Sequence, residues 1–445
     1  MTERLSRILP SEPASSAYRR GPGLFAALTG LWLGLALIKF GNPVILETQL
    51  RAPTDFWEVV FMSWPVGWGY WLLALVTLAG LTTWVWRMAA PVWLTVLPLV
   101  WLLWQMLSGL QTVEPSLTKP TLAHFTACVV SFYLGLFALG RVQRLRGFWL
   151  GLLGGFLVVI VLGWQQHFGG LEETRRFFYQ MPDWQDYPPE FIKKLSSNRV
   201  YSTLFYPNTL AGVILLLMPV LLASLGSIGP PSARIGIVAA GGVACLACLY
   251  WSGSKAGWLI VLGMGMAALL HTPIRRKVKL SVLGLVLVVG LLGFFTKYAE
   301  YFSRGATSVS ARMDYWQAGW RLMMERPLLG GGPGTFMVGY RKLKAPEAEM
   351  ARLAHNDYMQ QGADSGILGC IAYMAFVTCS LALSYHRHRH AWSSFSVWLG
   401  VTGLAVQNFV EFGLYIPATA WTQFLLLGWL LGATQNQIDT RSTPK

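Results

Sequence analysis

Residues 280–296 read LSVLGLVLVVGLLGFFT, seventeen positions without a charge. A bilayer core takes about 20 mainly apolar residues as a helix, and only helices or closed barrels satisfy their backbone in lipid. The run is continuous and not alternating, which selects a helix over a barrel strand. Outward from it the chemistry changes at once. Residues 297–364 hold nine cations, seven acids and one histidine, in His355-Asn356-Asp357-Tyr358, before apolar sequence resumes near 365. In a protein built for lipid, a polar loop this large is where a water-borne substrate can be handled.

The rest of the 445 residues follow the first run. With 54% hydrophobic and 12% charged residues and a mean hydropathy of +0.46, the chain has more apolar surface than a soluble core could bury. The expected fold is all-α and polytopic, with about twelve transmembrane helices. They fall near 23–39, 67–86, 90–110, 121–140, 147–168, 207–228, 234–251, 256–271, 280–296, 365–385, 394–412 and 414–433. The first follows Arg4, Arg7, Arg19 and Arg20 with no small-residue cleavage site directly after it, and so reads as a retained anchor. Residues 1–22 and 434–445 are expected to be cytoplasmic tails around a single transmembrane domain, 23–433. No repeat of 20 to 50 residues is evident.

Cations set the expected orientation. With the N-terminus inside, the inner face takes 17 of the 35 cations, among them Arg141, Arg144, Arg146, Arg275, Arg276, Lys277 and Lys279, against three acids. The outer face then holds 18 cations and 17 acids. The net charge of +15 therefore reports topology, and the high pI gives no motive for a nucleic-acid partner. Two long segments lie outside, 169–206 and 297–364. Trp184, Tyr187, Phe191, Tyr315, Trp316 and Trp320 give them an aromatic density unlike a disordered tail, and 311–324 has the spacing of a surface helix. Its aromatics suit an interfacial belt or stacking on a glycan.

Several motifs fail on context. Cys245 and Cys248 have redox spacing but lie in an apolar span, as do Cys128, Cys370 and Cys379, so they read as packing residues. His386, His388 and His390 alternate with Arg387 and Arg389, and the neighbouring cations disfavour a metal. The glycines at 330, 331, 332 and 334 lack the Lys-Ser/Thr of a nucleotide loop and predict a tight turn with special backbone angles.

Four segments on one expected membrane face could form one site. Asn198-Arg199 precedes Tyr206-Pro207-Asn208; Ser252-Gly253-Ser254-Lys255 is a tight turn; Arg312, Tyr315 and Trp316 open the large loop; His355 closes it. Three cations and a histidine could stabilise a diphosphate leaving group and take a proton from an attacking hydroxyl. Singly each has a plainer reading. Arg199 and Lys255 could be interfacial cations, Arg312 could pair with Asp314 or Glu325, His355 could be a solvated loop histidine, and Asp357 and Asp364 could orient the imidazole or cap a helix.

Residues 199–212 (RVYSTLFYPNTLAG), 252–257 (SGSKAG), 312–340 (RMDYWQAGWRLMMERPLLGGGPGTFMVGY) and 355–369 (HNDYMQQGADSGILG) resemble, in order and spacing, the O-antigen ligase-like superfamily. That group includes O-antigen ligases, O-antigen polymerases and bacterial O-linked oligosaccharyltransferases. The likeness runs over 199–433, where Asn408-Phe409-Val410-Glu411-Phe412 matches a weaker segment. The resemblance implies a GT-C-like architecture with the large periplasmic loop between spans 9 and 10. It implies His355, Arg312 and Arg199 as catalytic, and Lys255, Asn208, Ser254, Tyr315, Trp316, Asn356, Tyr358 and Asp364 as substrate-binding. Lys255 stands where the family usually has arginine and lacks the bidentate fork; Asp364 stands where glutamate is common.

The expected activity is transfer of a glycan from a polyprenyl-diphosphate carrier to an acceptor hydroxyl, a lipid A core sugar being favoured, at the periplasmic face of a bacterial inner membrane. No cofactor or metal is expected. Polymerase and protein O-oligosaccharyltransferase activities differ mainly in the acceptor and stay open. A secondary transporter is the alternative from another class, with Glu411 near a span end as its main candidate charge.

Overall fold

The computed structural model describes residues 20–86, 89–180, 184–186, 192, 195–303, 307–346 and 348–433. The C-terminal tail, nearly all of the N-terminal one, and Arg4, Arg7, Arg19, Arg87, Tyr187 and Phe191 lie outside the described residues. Among the described residues all regular structure is helical. The helices are α1 (Arg20–Lys39), α2 (Phe56–Phe61), α3 (Val66–Gly80), α4 (Val92–Gly109), α5 (Pro115–Tyr133), α6 (Arg146–Gln165), α7 (Leu171–Tyr179) and α8 (Pro207–Leu225). They continue as α9 (Pro231–Ser252), α10 (Lys255–Leu270), α11 (Arg276–Ser303), α12 (Thr307–Glu325), α13 (Phe336–Leu343), α14 (Asp357–His388), α15 (Trp392–Gln407) and α16 (Pro417–Gly432).

Each of the twelve expected spans falls on one of these helices. Eight helical stretches are long and apolar enough to cross a bilayer. Val66–Gly80 and Lys255–Leu270 are shorter apolar helices, and α15 and α16 have 16 residues each. The protein is a polytopic membrane protein.

The sequence misplaced two boundaries, and each displacement bears on the site. Apolar sequence resumes near 365, yet α14 starts at Asp357, because the Asn356 side chain accepts from the Tyr358 and Met359 amides and caps the helix eight residues earlier. The helix is interrupted at Ser365 and Gly366, where Gly366 takes φ +72° and a Cβ would lie 2.4 Å from the Pro327 and Leu328 carbonyl oxygens. The span expected over 394–412 ends at Gln407. Phe409, Val410 and Phe412 made 408–412 read as helix, but the Asn408 and Val410 carbonyls instead accept from the Asp357 amide and from Arg312. The outer segment 169–206, expected to be structured, begins with the short helix α7, set off from α6 by Gly169 at φ +126°.

Close backbone contact holds the bundle, as expected where lipid removes the hydrophobic drive between helices. α1 packs on α6 through Gly30 and Gly34 against Gly151 and Gly155, and a Cβ on Gly34 would sit 2.3 Å from the Gly151 carbonyl oxygen. Every residue of α16 is buried, which makes it the central helix, against α1, α5 and α14. α11 is the opposite case, with only Phe294 and Tyr298 buried. Its open flanks suit lipid. The five cysteines are free, in agreement with the packing reading.

Candidate functional site

The four expected segments meet, and a fifth joins them. Pro207 at the first position of α8 leaves Asn208 in the first turn, with its side chain free to bridge. Arg199 reaches it, donating from Nη2 to Asn208 Oδ1 at 2.8 Å and from Nε to the Ser252 carbonyl at 2.7 Å. Gly253 ends α9 in the left-handed region at φ +63°, and a Cβ there would lie 3.2 Å from Arg199 Nε. The glycine is therefore what lets the guanidinium lie across the turn.

Asn208 Nδ2 donates in turn to Glu411 Oε1. The same oxygen accepts from Arg312 Nη2, while Arg312 Nε donates to the Val410 carbonyl at 3.0 Å and Nη1 to the Ser308 carbonyl at 3.2 Å. Glu411 Oε2 faces His355 Nδ1 at 3.4 Å, the long end of a hydrogen bond. One carboxylate, 10% exposed, thus ties α8, α12 and the start of α14 together. Burial works against its ionisation, but His355 and Arg312 outweigh it and hold Glu411 below the ordinary carboxylate range. Burial likewise lowers Arg199 from the usual arginine value, opposed by Glu411.

His355 occupies the left-handed region at φ +49°, a conformation uncommon outside glycine and therefore strained. Tyr315 stacks on its ring at 5.7 Å, Phe412 meets it edge-on at 4.7 Å, and Trp316 Nε1 donates to its carbonyl at 3.4 Å. A carboxylate only accepts, so Nδ1 carries the hydrogen toward Glu411. Nε2 is then the basic nitrogen. It makes no hydrogen bond among the described residues. The Tyr315 phenol is pushed up by burial to about 12, which keeps it neutral.

Lys255, the first residue of α10, feels the charges of both Arg199 and Arg312. Its Nζ lies 3.8 Å from the Tyr301 ring centre and 5.0 Å from that of Tyr298. Lys297 stands beside it, over the Tyr250 ring and donating to the Tyr250 carbonyl at 2.6 Å. Among the described residues neither lysine has an acidic partner. The end of the bundle where the segments meet therefore concentrates four cations against Glu411, an arrangement suited to a dianionic or more highly charged ligand.

Other expected contacts turn inward. Ser254 caps α10 by accepting from the Gly257 amide, and Asn356 spends its oxygen capping α14. Tyr358 is buried and donates to the Ala405 carbonyl. Asp364 is not beside His355. It accepts from the Gly334 amide, Gln360 and the Tyr415 hydroxyl, and so pins the glycine loop, in which Gly330, Gly332 and Gly334 all take positive φ. Arg312 pairs with Glu411, not with Asp314 or Glu325. Asp357 takes the Leu414 amide, which places it in the core. Of the histidine-arginine cluster, His388 is buried and bonded to the Leu430 carbonyl and Arg387 to those of Leu431 and Ala89.

The sequence reading missed Glu411 and Lys297 as members of the site. Glu411 had a signal, since it is the single acid between residues 365 and 433. Lys297 had none. It follows an apolar run, where a snorkelling cation is ordinary.

Residues 240–374 match the O-antigen ligase family. The chain carries an O-antigen ligase-like domain. The match takes in α10 to α13 and the first half of α14, hence Lys255, Arg312 and His355, while Arg199, Asn208 and Glu411 lie outside it. No curated protein matches the chain. The O-antigen ligase-like match supports a membrane glycosyltransferase of ligase or polymerase type.

Proposed function

We propose that the protein transfers a glycan from a polyprenyl-diphosphate carrier to an acceptor hydroxyl, favouring a lipid A core sugar, at the periplasmic face of the bacterial inner membrane. The observation that carries this reading is the convergence of Arg199, Arg312 and Lys255 on the His355–Glu411 pair, within a chain that carries an O-antigen ligase-like domain.

The acceptor oxygen attacks the anomeric carbon and its proton passes to His355 Nε2. The bond from that carbon to the diphosphate oxygen breaks, and the electron pair leaves with the diphosphate. The departing charge is met by Arg199, Arg312, Lys255 and Lys297. Glu411 holds the imidazole in the tautomer that can accept, and stabilises the imidazolium that forms. The polyprenyl tail lies in the bilayer along the apolar helices.

The deciding experiment incubates purified protein with polyprenyl-diphosphate-linked glycan and, separately, lipid A core, a second carrier-linked glycan, and a serine-rich secreted protein. Glycosylated lipid A core is the expected product. Carrier-linked chains would make the protein a polymerase, and glycoprotein an oligosaccharyltransferase. Flux of intact substrate across vesicles with no transfer to any acceptor would refute the enzyme reading. His355→Ala, folded normally, abolishes transfer; wild-type rates in that variant would remove His355 as the base.

A further inference from the structure

α12 has two faces. Tyr315, Ala318, Gly319 and Met323 are buried toward α14 and α13. The other face carries a shallow depression of about 350 Å³ lined by Met313, Trp316, Gln317, Trp320 and Arg321. These positions recur at intervals of three and four, so they form a stripe about two turns, or roughly 12 Å, long. The stripe starts beside Arg312, four residues before Trp316, and Trp316 is bonded to the His355 carbonyl. It is therefore continuous with the candidate site through Arg312 and His355.

We propose that this depression is the acceptor-saccharide subsite, in which a sugar ring stacks on Trp320 and its hydroxyls bond to Gln317 and Arg321. The assignment rests on the glycan-transfer reading above. The chemistry favours a sugar over an acyl chain. Two indoles offer flat apolar faces to the C–H side of a pyranose, and Gln317 and Arg321, one turn apart on the same stripe, offer donors to its hydroxyls. Arg321 forms no ion pair among the described residues, so its donors face outward. The location matches the role, since the acceptor hydroxyl must come within hydrogen-bond reach of His355 Nε2.

The test uses full-length protein in nanodiscs and, as probe, core oligosaccharide released from lipopolysaccharide by mild acid. Trp320→Ala is expected to weaken binding about tenfold, and Trp320→Phe, which keeps a flat ring, to stay within about threefold of wild type. KM for the carrier-linked donor stays unchanged in both. Equal binding by wild type and Trp320→Ala overturns the subsite, as does no binding by wild type. Quenching of Trp320 fluorescence by brominated lipid, with no response to the oligosaccharide, overturns it in favour of a membrane-interface helix. The two readings fail separately. Wild-type protein that binds the oligosaccharide through Trp320 but transfers to no acceptor leaves the subsite standing and removes the activity. Active protein indifferent to Trp320→Ala removes the subsite alone.

Discussion

Glu411→Gln separates the charge of the central carboxylate from its shape. Oε1 of the glutamine can still accept from Arg312 and Asn208, so two of the three contacts and the packing survive. The amide nitrogen replaces Oε2 and faces His355 Nδ1, where donor would meet donor. The imidazole must then carry its hydrogen on Nε2, the nitrogen that should take the acceptor proton. In the Ser-His-Asp triad the same exchange lowers turnover about 10⁴-fold through the wrong tautomer. The contact here is 3.4 Å long and couples more weakly. We expect kcat to fall about 100-fold, or about 2.7 kcal/mol at 1.36 kcal/mol per decade. KM for the donor changes a few-fold at most, because Arg312 keeps its acceptor. The assay is glycan transfer by protein in nanodiscs, with product followed by mass spectrometry. A kcat within about threefold of wild type would refute the tautomer argument.

Stability should follow the same carboxylate. Its folded pKa lies below the ordinary 4.5, so the ionised form is favoured by folding, and that contribution is present above pH 4.5 and lost as pH falls through the folded value. The gap in unfolding temperature between wild type and Glu411→Gln should be widest near neutrality and close below about pH 4.5; a gap that does not change with pH contradicts this. Lys297→Ala should raise the donor KM about tenfold and flatten its salt dependence, with kcat little changed; an unchanged KM excludes Lys297 from the anion site. Gly334→Ala should destabilise the fold by about 2 kcal/mol, because the residue sits at φ +79° and a Cβ would lie 2.4 Å from Thr121 Oγ1. Thermal unfolding checks it, and an unaltered midpoint would mean that the glycine loop can relax.

Apolar runs made the helices legible, since a span is set by length and hydropathy, both local quantities. Where the sequence erred, a single polar contact outweighed local pattern. Asn356 capped α14 ahead of its apolar stretch, and Asp357 and Arg312 drew the 408–412 backbone out of a helix that its side chains alone would have continued. The site was half legible for a related reason. Arg199, Arg312 and His355 sit in polar surroundings where unusual residues stand out. Ser254, Asn356, Tyr358 and Asp364 stand in the same motifs yet serve the scaffold, and sequence adjacency cannot distinguish a side chain that faces a ligand from one that faces the core. Glu411 was visible as an isolated acid, but its meaning depended on partners 56, 99 and 203 residues away.

Those separations also impose an order on biosynthesis. Arg199 and Asn208 are made first, Arg312 about 100 and His355 about 150 residues later, and the carboxylate that joins them only after α15 has been synthesised. Until the 408–416 turn folds back, Arg199, Arg312, Lys255 and Lys297 face one another without Glu411 between them. A nascent chain halted after α14 would hold the proposed base and every cation of the site in mutual repulsion. The candidate site is thus completed only when almost the whole bundle has been made.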